Sequence, residues 1–256
     1  MYTGRLEGIC FTAGNWPLDP GMPTLIFIHG SGQNSALWEH QTEALAPVAN
    51  TIAVDLPGHG RSAPPGRDRV GDYAACLARF VAAVGSPAPV PCGLSIGGAI
   101  VLQLLLDHAE LLHAAILVGT GARLRVLPDF LRMAAEDFEE FLKVLAAYEV
   151  SPQTAPERVA AAIGLAAECP PGVVLGDFKA CDRFDVMTRL AEIRLPVLVI
   201  SAADDRLTPP KYGEYLQKHI AGARRVEIAA AGHLVPVEQP TALNLAVTEF
   251  LGKLHP

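Results

Sequence analysis

Short, almost unbroken apolar runs recur along this chain: Thr24–His29 (TLIFIH), Thr51–Asp55 (TIAVD), Ala114–Val118 (AAILV) and Pro196–Ser201 (PVLVIS). Between them lie segments with apolar residues at helical spacing, such as Asp72–Val84, where Tyr73, Cys76, Leu77 and Phe80 share one face. A strand that is apolar at every position must be covered on both faces, and helices alternating with such strands supply the cover. The pattern predicts an α/β fold with a mostly parallel sheet and helices on both sides.

Further strands are expected at Pro89–Leu94 and Arg224–Ile228, and helices at Leu37–Ala46, Gly97–His108 and Pro240–Leu254. The first ten or so residues read as an edge strand or hairpin. Residues 121–195 break the rhythm, with helical patterns and no convincing strand. Within them, Pro128–Tyr148 places Leu131, Ala134, Phe138, Leu142, Leu145 and Tyr148 at helical spacing. This stretch reads as a helical cap. The expected division is 1–120 for the first part of the core, 121–195 for the cap insertion and 196–256 for the second part of the core.

Half of the 256 residues are apolar and 18% are charged, enough for a large core. A formal charge of −7 and the lack of a basic cluster argue against a nucleic-acid partner. The longest apolar stretch near Ile96–Leu106 stops at Asp107, far short of a membrane span. Met1 to Gly8 lacks the basic-then-apolar pattern of a secretory signal, so a cytoplasmic location is the expectation. Cysteines 10, 76, 92, 169 and 181 form no CxxC or zinc pattern and are expected to be reduced and buried. With no H-E-x-x-H and no dinucleotide fingerprint, neither a metal nor a cofactor is expected.

Four signals carry chemistry, each after an expected strand. Gly93-Leu94-Ser95-Ile96-Gly97-Gly98 fits G-x-S-x-G between a strand and a helix. Such a turn lifts a serine hydroxyl above the sheet, and side chains at Gly93 or Gly97 would collide with neighbouring chain. His29-Gly30-Ser31-Gly32 follows TLIFI and can supply a second oxyanion N–H beside that of Ile96, with Ser31 preferred and Gly32 second. His29 itself reads as a strand-end residue bonded to nearby loops. Ser201 to Pro209 offers two aspartates, Asp204 and Asp205, either of which suits a site at a strand end or a plain turn. Gly232-His233 follows the last strand. The chain order is Ser95, aspartate, His233, in which the histidine takes the serine proton and the carboxylate orients the histidine.

These residues resemble the α/β-hydrolase family, in particular its cap-bearing esterase, lactonase and C–C hydrolase branch. Asp55-Leu56-Pro57-Gly58-His59-Gly60-Arg61-Ser62 looks like the family's D-x-P-G-H-G-x-S loop. Trp38, Asp205-Arg206-Leu207-Thr208-Pro209, Gly232-His233 and Glu238-Gln239-Pro240 also match. The resemblance covers residues 24–119 and 196–254 and implies an eight-stranded-type sheet. It selects Asp205 over Asp204 as the acid and makes His59 structural. Two departures stand out. Ala202 replaces a usual glycine, and Pro89 and Pro91 fall in the elbow strand, which is therefore expected to be short or bulged. No acid occurs in Gly119–Ala122, the alternative acid site, which strengthens Asp205.

Serine in the elbow disfavours the aspartate-dependent dehalogenases and epoxide hydrolases. The leading expectation is a carboxylesterase for small to medium apolar esters, acting through an acyl-enzyme on Ser95. A C–C bond hydrolase or enol-lactonase comes second, and a non-catalytic small-ligand receptor third. Phe130, Met133, Phe138, Phe141, Phe178 and Phe184 are candidates for the wall of an apolar pocket, although most are expected to form the cap's own core.

Overall fold

The computed structural model describes residues 1–254. A hairpin of β1 (Tyr2–Leu6) and β2 (Ile9–Ala13) opens the chain, and β3 (Thr24–Ile28) follows. The expected helix at Leu37–Ala46 is a 3-10 turn, Ser35–Trp38, running into α1 (Glu39–Ala44). Next come β4 (Asn50–Asp55), α2 (Val70–Val84), β5 (Pro89–Leu94), α3 (Ile96–Asp107) and β6 (Ala115–Val118). Residues after β6 hold α4 (Pro128–Glu136), α5 (Phe138–Glu149), α6 (Pro156–Glu168) and α7 (Pro171–Arg183). The chain then returns through β7 (Val197–Ala202), α8 (Pro210–His219), β8 (Arg224–Ile228), α9 (Val235–Glu238) and α10 (Pro240–Leu251).

The eight strands form one sheet in the order β1-β2-β4-β3-β5-β6-β7-β8. The pairings of β2 with β1 and β4 are antiparallel and the rest are parallel. Burial explains the unbroken apolar strands. Ile26 and Ile28 of β3 join a cluster with Tyr73, Phe80, Ile100 and Leu104 beneath α2 and α3. Leu25 and Phe27, pointing the other way, pack with Trp38, Leu243, Val247 and Phe250. Trp38 is fully buried and stacks on Phe27 with ring centroids 5.0 Å apart.

The two prolines do not shorten β5, which runs its full six residues. The Pro89 carbonyl accepts the His113 N–H at 2.8 Å, so this residue faces the β6 side, and Pro91 faces the same way two residues on. The ladder between β5 and β6 begins only at Cys92, past both prolines, which lack the N–H that a rung on that side would need.

The insertion between β6 and β7 is helical, as expected, but Pro128–Tyr148 is two helices rather than one. Asp137 ends α4 and caps α5, its side chain accepting the Glu140 N–H at 3.1 Å. The break rotates the buried face. Phe130, Ala134, Phe141 and Leu145 are buried, whereas Leu131, Phe138 and Leu142 are half-buried and Tyr148 is exposed at its edge. The neck of the insertion closes through an antiparallel bridge from Arg123 to Asp185 and a Val186 N–H to Ala122 carbonyl bond of 2.8 Å. Among the described residues, no helix is long and apolar enough to cross a membrane.

Candidate active site

Ser95 sits between the end of β5 and the start of α3 with φ +57° and ψ −119°. That backbone is strained for a residue with a side chain, at a cost of about 1–3 kcal/mol. Its neighbours hold it there. The Ser95 N–H donates to the Val118 carbonyl at 3.0 Å, and the Thr120 hydroxyl donates to the Ser95 carbonyl at 2.8 Å. The turn is too tight for side chains at its flanks. A Cβ on Gly93 would lie 2.2 Å from the Gly97 carbonyl oxygen, and one on Gly97 would lie 2.4 Å from the Ile28 oxygen.

The loop after β3 lies beside this elbow, with the Gly30 Cβ position 3.6 Å from the Ser95 Cβ. Its donors are sorted by their partners. The Gly30 N–H donates to Gln33 Oε1 at 3.1 Å and the Gly32 N–H to Asp177 Oδ2 at 3.0 Å. No such acceptor meets the Ser31 N–H among the described residues, and Ile96, as the first residue of α3, has no intrahelical acceptor for its N–H. His29 is buried beneath the loop, where Nδ1 meets the Gly30 carbonyl at 2.7 Å and Nε2 accepts the Leu56 N–H at 3.0 Å. Burial, then the neighbouring His59, lower its pKa to about 4, so the ring is neutral and bonded on both sides.

Asp205 follows β7 and His233 follows β8. Oδ2 of Asp205 lies 2.8 Å from His233 Nδ1, and Thr208 Oγ1 bonds the same oxygen at 2.8 Å. Oδ1 accepts the Leu207 and Thr208 N–H groups at 2.9 and 2.8 Å. Burial alone would raise the Asp205 pKa, but the His233 charge and these donors hold it below the usual carboxylate value. Burial likewise opposes charge on His233, yet Asp205 outweighs it and the pKa is raised. Asp204 points elsewhere, accepting the Ser151 hydroxyl at 2.6 Å.

Ser95 and His233 open into one cavity of about 150 Å³ that is mainly apolar. No hydrogen bond joins their side chains among the described residues. Of the six insertion residues proposed as pocket wall, Phe130 and Phe178 line it. Phe138, Phe141 and Met133 belong to the insertion's own core, and Phe184 packs against the main core.

Sequence reasoning did not single out two carboxylates that shape the site. Glu238, seen only as part of a matching segment, accepts the Gly232 and Leu234 N–H groups, each at 3.0 Å, so it clamps the His233 loop. The same carboxylate accepts the Ser151 N–H at 2.8 Å from the insertion. Glu149, at the end of α5, is buried and lines the cavity, and its carbonyl accepts the His233 N–H at 2.6 Å. Burial, with Asp205 and Glu238 adding to it, pushes the Glu149 pKa up to about 7 against the pull of His233. The match of Glu238-Gln239-Pro240 to the family pattern is the signal that could have found Glu238; nothing in the pattern around Glu149 marked it.

A family model described as alpha/beta hydrolase fold matches residues 23–240 of the chain. The chain belongs to this family. Among the chain's relatives is a Caulobacter segnis protein provisionally named carbamate hydrolase RutD, 28% identical over 98% of this chain and 99% of the relative. Another is 3-oxoadipate enol-lactonase 2 of Acinetobacter baylyi, 28% identical over 91% of this chain and 90% of the relative. The solved structure of a thermophilic esterase is 31% identical and superposes with a TM-score of 0.83, covering 99% of this chain and 97% of that one.

Proposed function

We propose that this alpha/beta hydrolase is a serine carboxylesterase for small to medium apolar esters, with Ser95 as nucleophile, His233 as base and Asp205 as the acid that orients it. The observation that carries the reading is the opening of the strained Ser95 elbow and the Asp205-bonded His233 ring into one apolar cavity. With Nδ1–H given to Asp205, Nε2 of His233 is the free base. Ser95 Oγ attacks the ester carbonyl as its proton passes to Nε2, and the carbonyl oxygen becomes an oxyanion held by the Ser31 and Ile96 N–H groups. Collapse of this intermediate breaks the bond to the alcohol, which leaves with the proton from Nε2. Water then attacks the acyl-enzyme by the same route, releasing the acid and restoring Ser95.

Residues 121–195 serve in this reading as a cap that supplies apolar walls and excludes water, supported by Phe130 and Phe178 at the cavity. The neighbouring esterase favours this activity, and the enol-lactonase relative favours a cyclic ester as the second reading. A cytoplasmic setting belongs to the same proposal, supported by five free, buried cysteines.

A panel of p-nitrophenyl esters combined with a serine-reactive phosphonate tests it. Turnover together with one covalent adduct on Ser95 is the expected result. An adduct without turnover of any open-chain ester would point to the lactonase or C–C hydrolase reading. Neither adduct nor turnover would favour a ligand receptor.

A further inference from the structure

Asp177 lies on α7, and no step of the proposed reaction uses it. Its side chain is completely buried, and both carboxylate oxygens are occupied. Oδ2 accepts the Gly32 N–H at 3.0 Å and meets His59 Nε2 at 2.9 Å. Oδ1 accepts the Tyr73 hydroxyl at 2.7 Å, and the Tyr73 oxygen accepts the Arg67 N–H at 2.9 Å. One carboxylate from the insertion thus binds the loop after β3, the loop after β4 and α2.

A buried carboxylate is costly unless its charge is balanced and its lone pairs are used. Here His59 balances it. The second ring nitrogen, Nδ1, lies 3.1 Å from the Pro57 carbonyl oxygen, so both nitrogens donate and the ring carries a proton on each. Burial lowers the His59 pKa, but Asp177, helped by Cys169, lifts it to about 10. The other groups facing this ring are His29, with centroids 4.9 Å apart, and Tyr73 at 6.2 Å. The seat of α7 is tight on both sides of the carboxylate. A Cβ on Gly32 would lie 3.1 Å from Val174, and one on Gly176 would lie 2.9 Å from the Arg67 oxygen.

We propose that Asp177 is a positioning residue for the oxyanion hole, which makes that hole depend on the seating of the insertion. By holding the Gly32 N–H it fixes the peptide next to Ser31 and leaves the Ser31 N–H free for the substrate oxygen. A loop with Gly32 at φ +70° has other conformations available once this bond is lost. The inference rests on the proposed roles of Ser95 and Ser31.

Asp177→Asn tests it, because an asparagine offers one acceptor oxygen to three donors and no charge to His59. For p-nitrophenyl acetate, kcat should fall on the order of 10- to 100-fold, somewhat less than the loss of an oxyanion donor, while KM stays within about twofold. The His59 Cε1–H resonance should titrate at much lower pH than in the unsubstituted protein. Unchanged kcat, or a loss confined to KM for bulky esters, would overturn the proposal and leave Asp177 as a tether for the insertion alone. Ser95→Ala runs beside it. If that variant keeps full turnover, the fault lies with the nucleophile; if it is inactive while Asp177→Asn keeps its kcat, only the positioning role fails. Should Asp177→Asn not fold, Asp177→Glu replaces it, since it keeps a negative charge for His59 and moves the acceptor oxygen away from the Gly32 N–H. A severalfold lower kcat at unchanged KM supports the proposal, and an unchanged kcat overturns it.

Discussion

Asp205 and His233 share a hydrogen bond of 2.8 Å between Oδ2 and Nδ1, while Asp204, one residue earlier, gives its carboxylate to the Ser151 hydroxyl. The two aspartates are adjacent in the chain and differ entirely in what they hold. Asp205→Asn should therefore lower kcat by about 10⁴-fold, as expected when the histidine loses its tautomer anchor. Asp204→Asn should cost far less. Steady-state kinetics on the two variants decide the matter, and greater damage from Asp204→Asn would put the acid in the wrong register.

The nucleophile has its own test. Ser95→Ala should abolish phosphonate labelling and reduce ester turnover by several orders of magnitude, with the fold retained. Peptide mapping of the labelled protein checks it, and an adduct on a peptide lacking Ser95 would exclude the assignment.

The elbow glycines are required by backbone contact rather than by chemistry. Gly93→Ala places a carbon against the Gly97 carbonyl, a contact of 2.2 Å with no flexible atom to move aside. The expected loss of stability is about 3 kcal/mol, read from urea unfolding, and the soluble fraction should lose activity in parallel.

The activity should depend on pH through His233. Neutral imidazole is the active base, and the pKa of His233 is raised, so kcat/KM should fall as pH drops through a midpoint above the ordinary imidazole value. Glu149, when ionised, favours the imidazolium. Glu149→Gln removes that charge and lowers the His233 pKa, so the acid limb of the profile should move to lower pH. A shift to higher pH, or none, would show that the Glu149 carboxyl does not act on His233.

The aromatic residues of the insertion should divide by location. Phe130 and Phe178 face the cavity, and their replacement by alanine should change acyl-chain preference more than labelling by a small phosphonate. Phe141 is fully buried within the insertion, packed edge-on to Phe178 with centroids 5.1 Å apart. Phe141→Ala should cost about 3–5 kcal/mol of stability, visible in thermal unfolding.

The sequence by itself determined the alternation of strands and helices, the elbow around Ser95, the chain order of serine, aspartate and histidine, and the helical nature of residues 121–195, while the choice of Asp205 over Asp204 came from the family resemblance. These features are written locally. A buried strand needs a run of apolar residues, and a sharp turn beneath backbone needs glycine, whatever else the chain does. Tertiary structure alone decided that Pro128–Tyr148 breaks at Asp137 and which phenylalanines reach the cavity. It also decided that Glu149 stands beside His233 and that Asp177 binds Gly32 from 145 residues away. Such carboxylates leave no periodic trace. On a helix wheel Asp177 is one more polar residue on an amphipathic surface, and only the packing of α7 against the loops after β3 and β4 turns that surface inward. A buried charge is tolerated there because His59 and Tyr73, far apart in the chain, are brought to the same carboxylate.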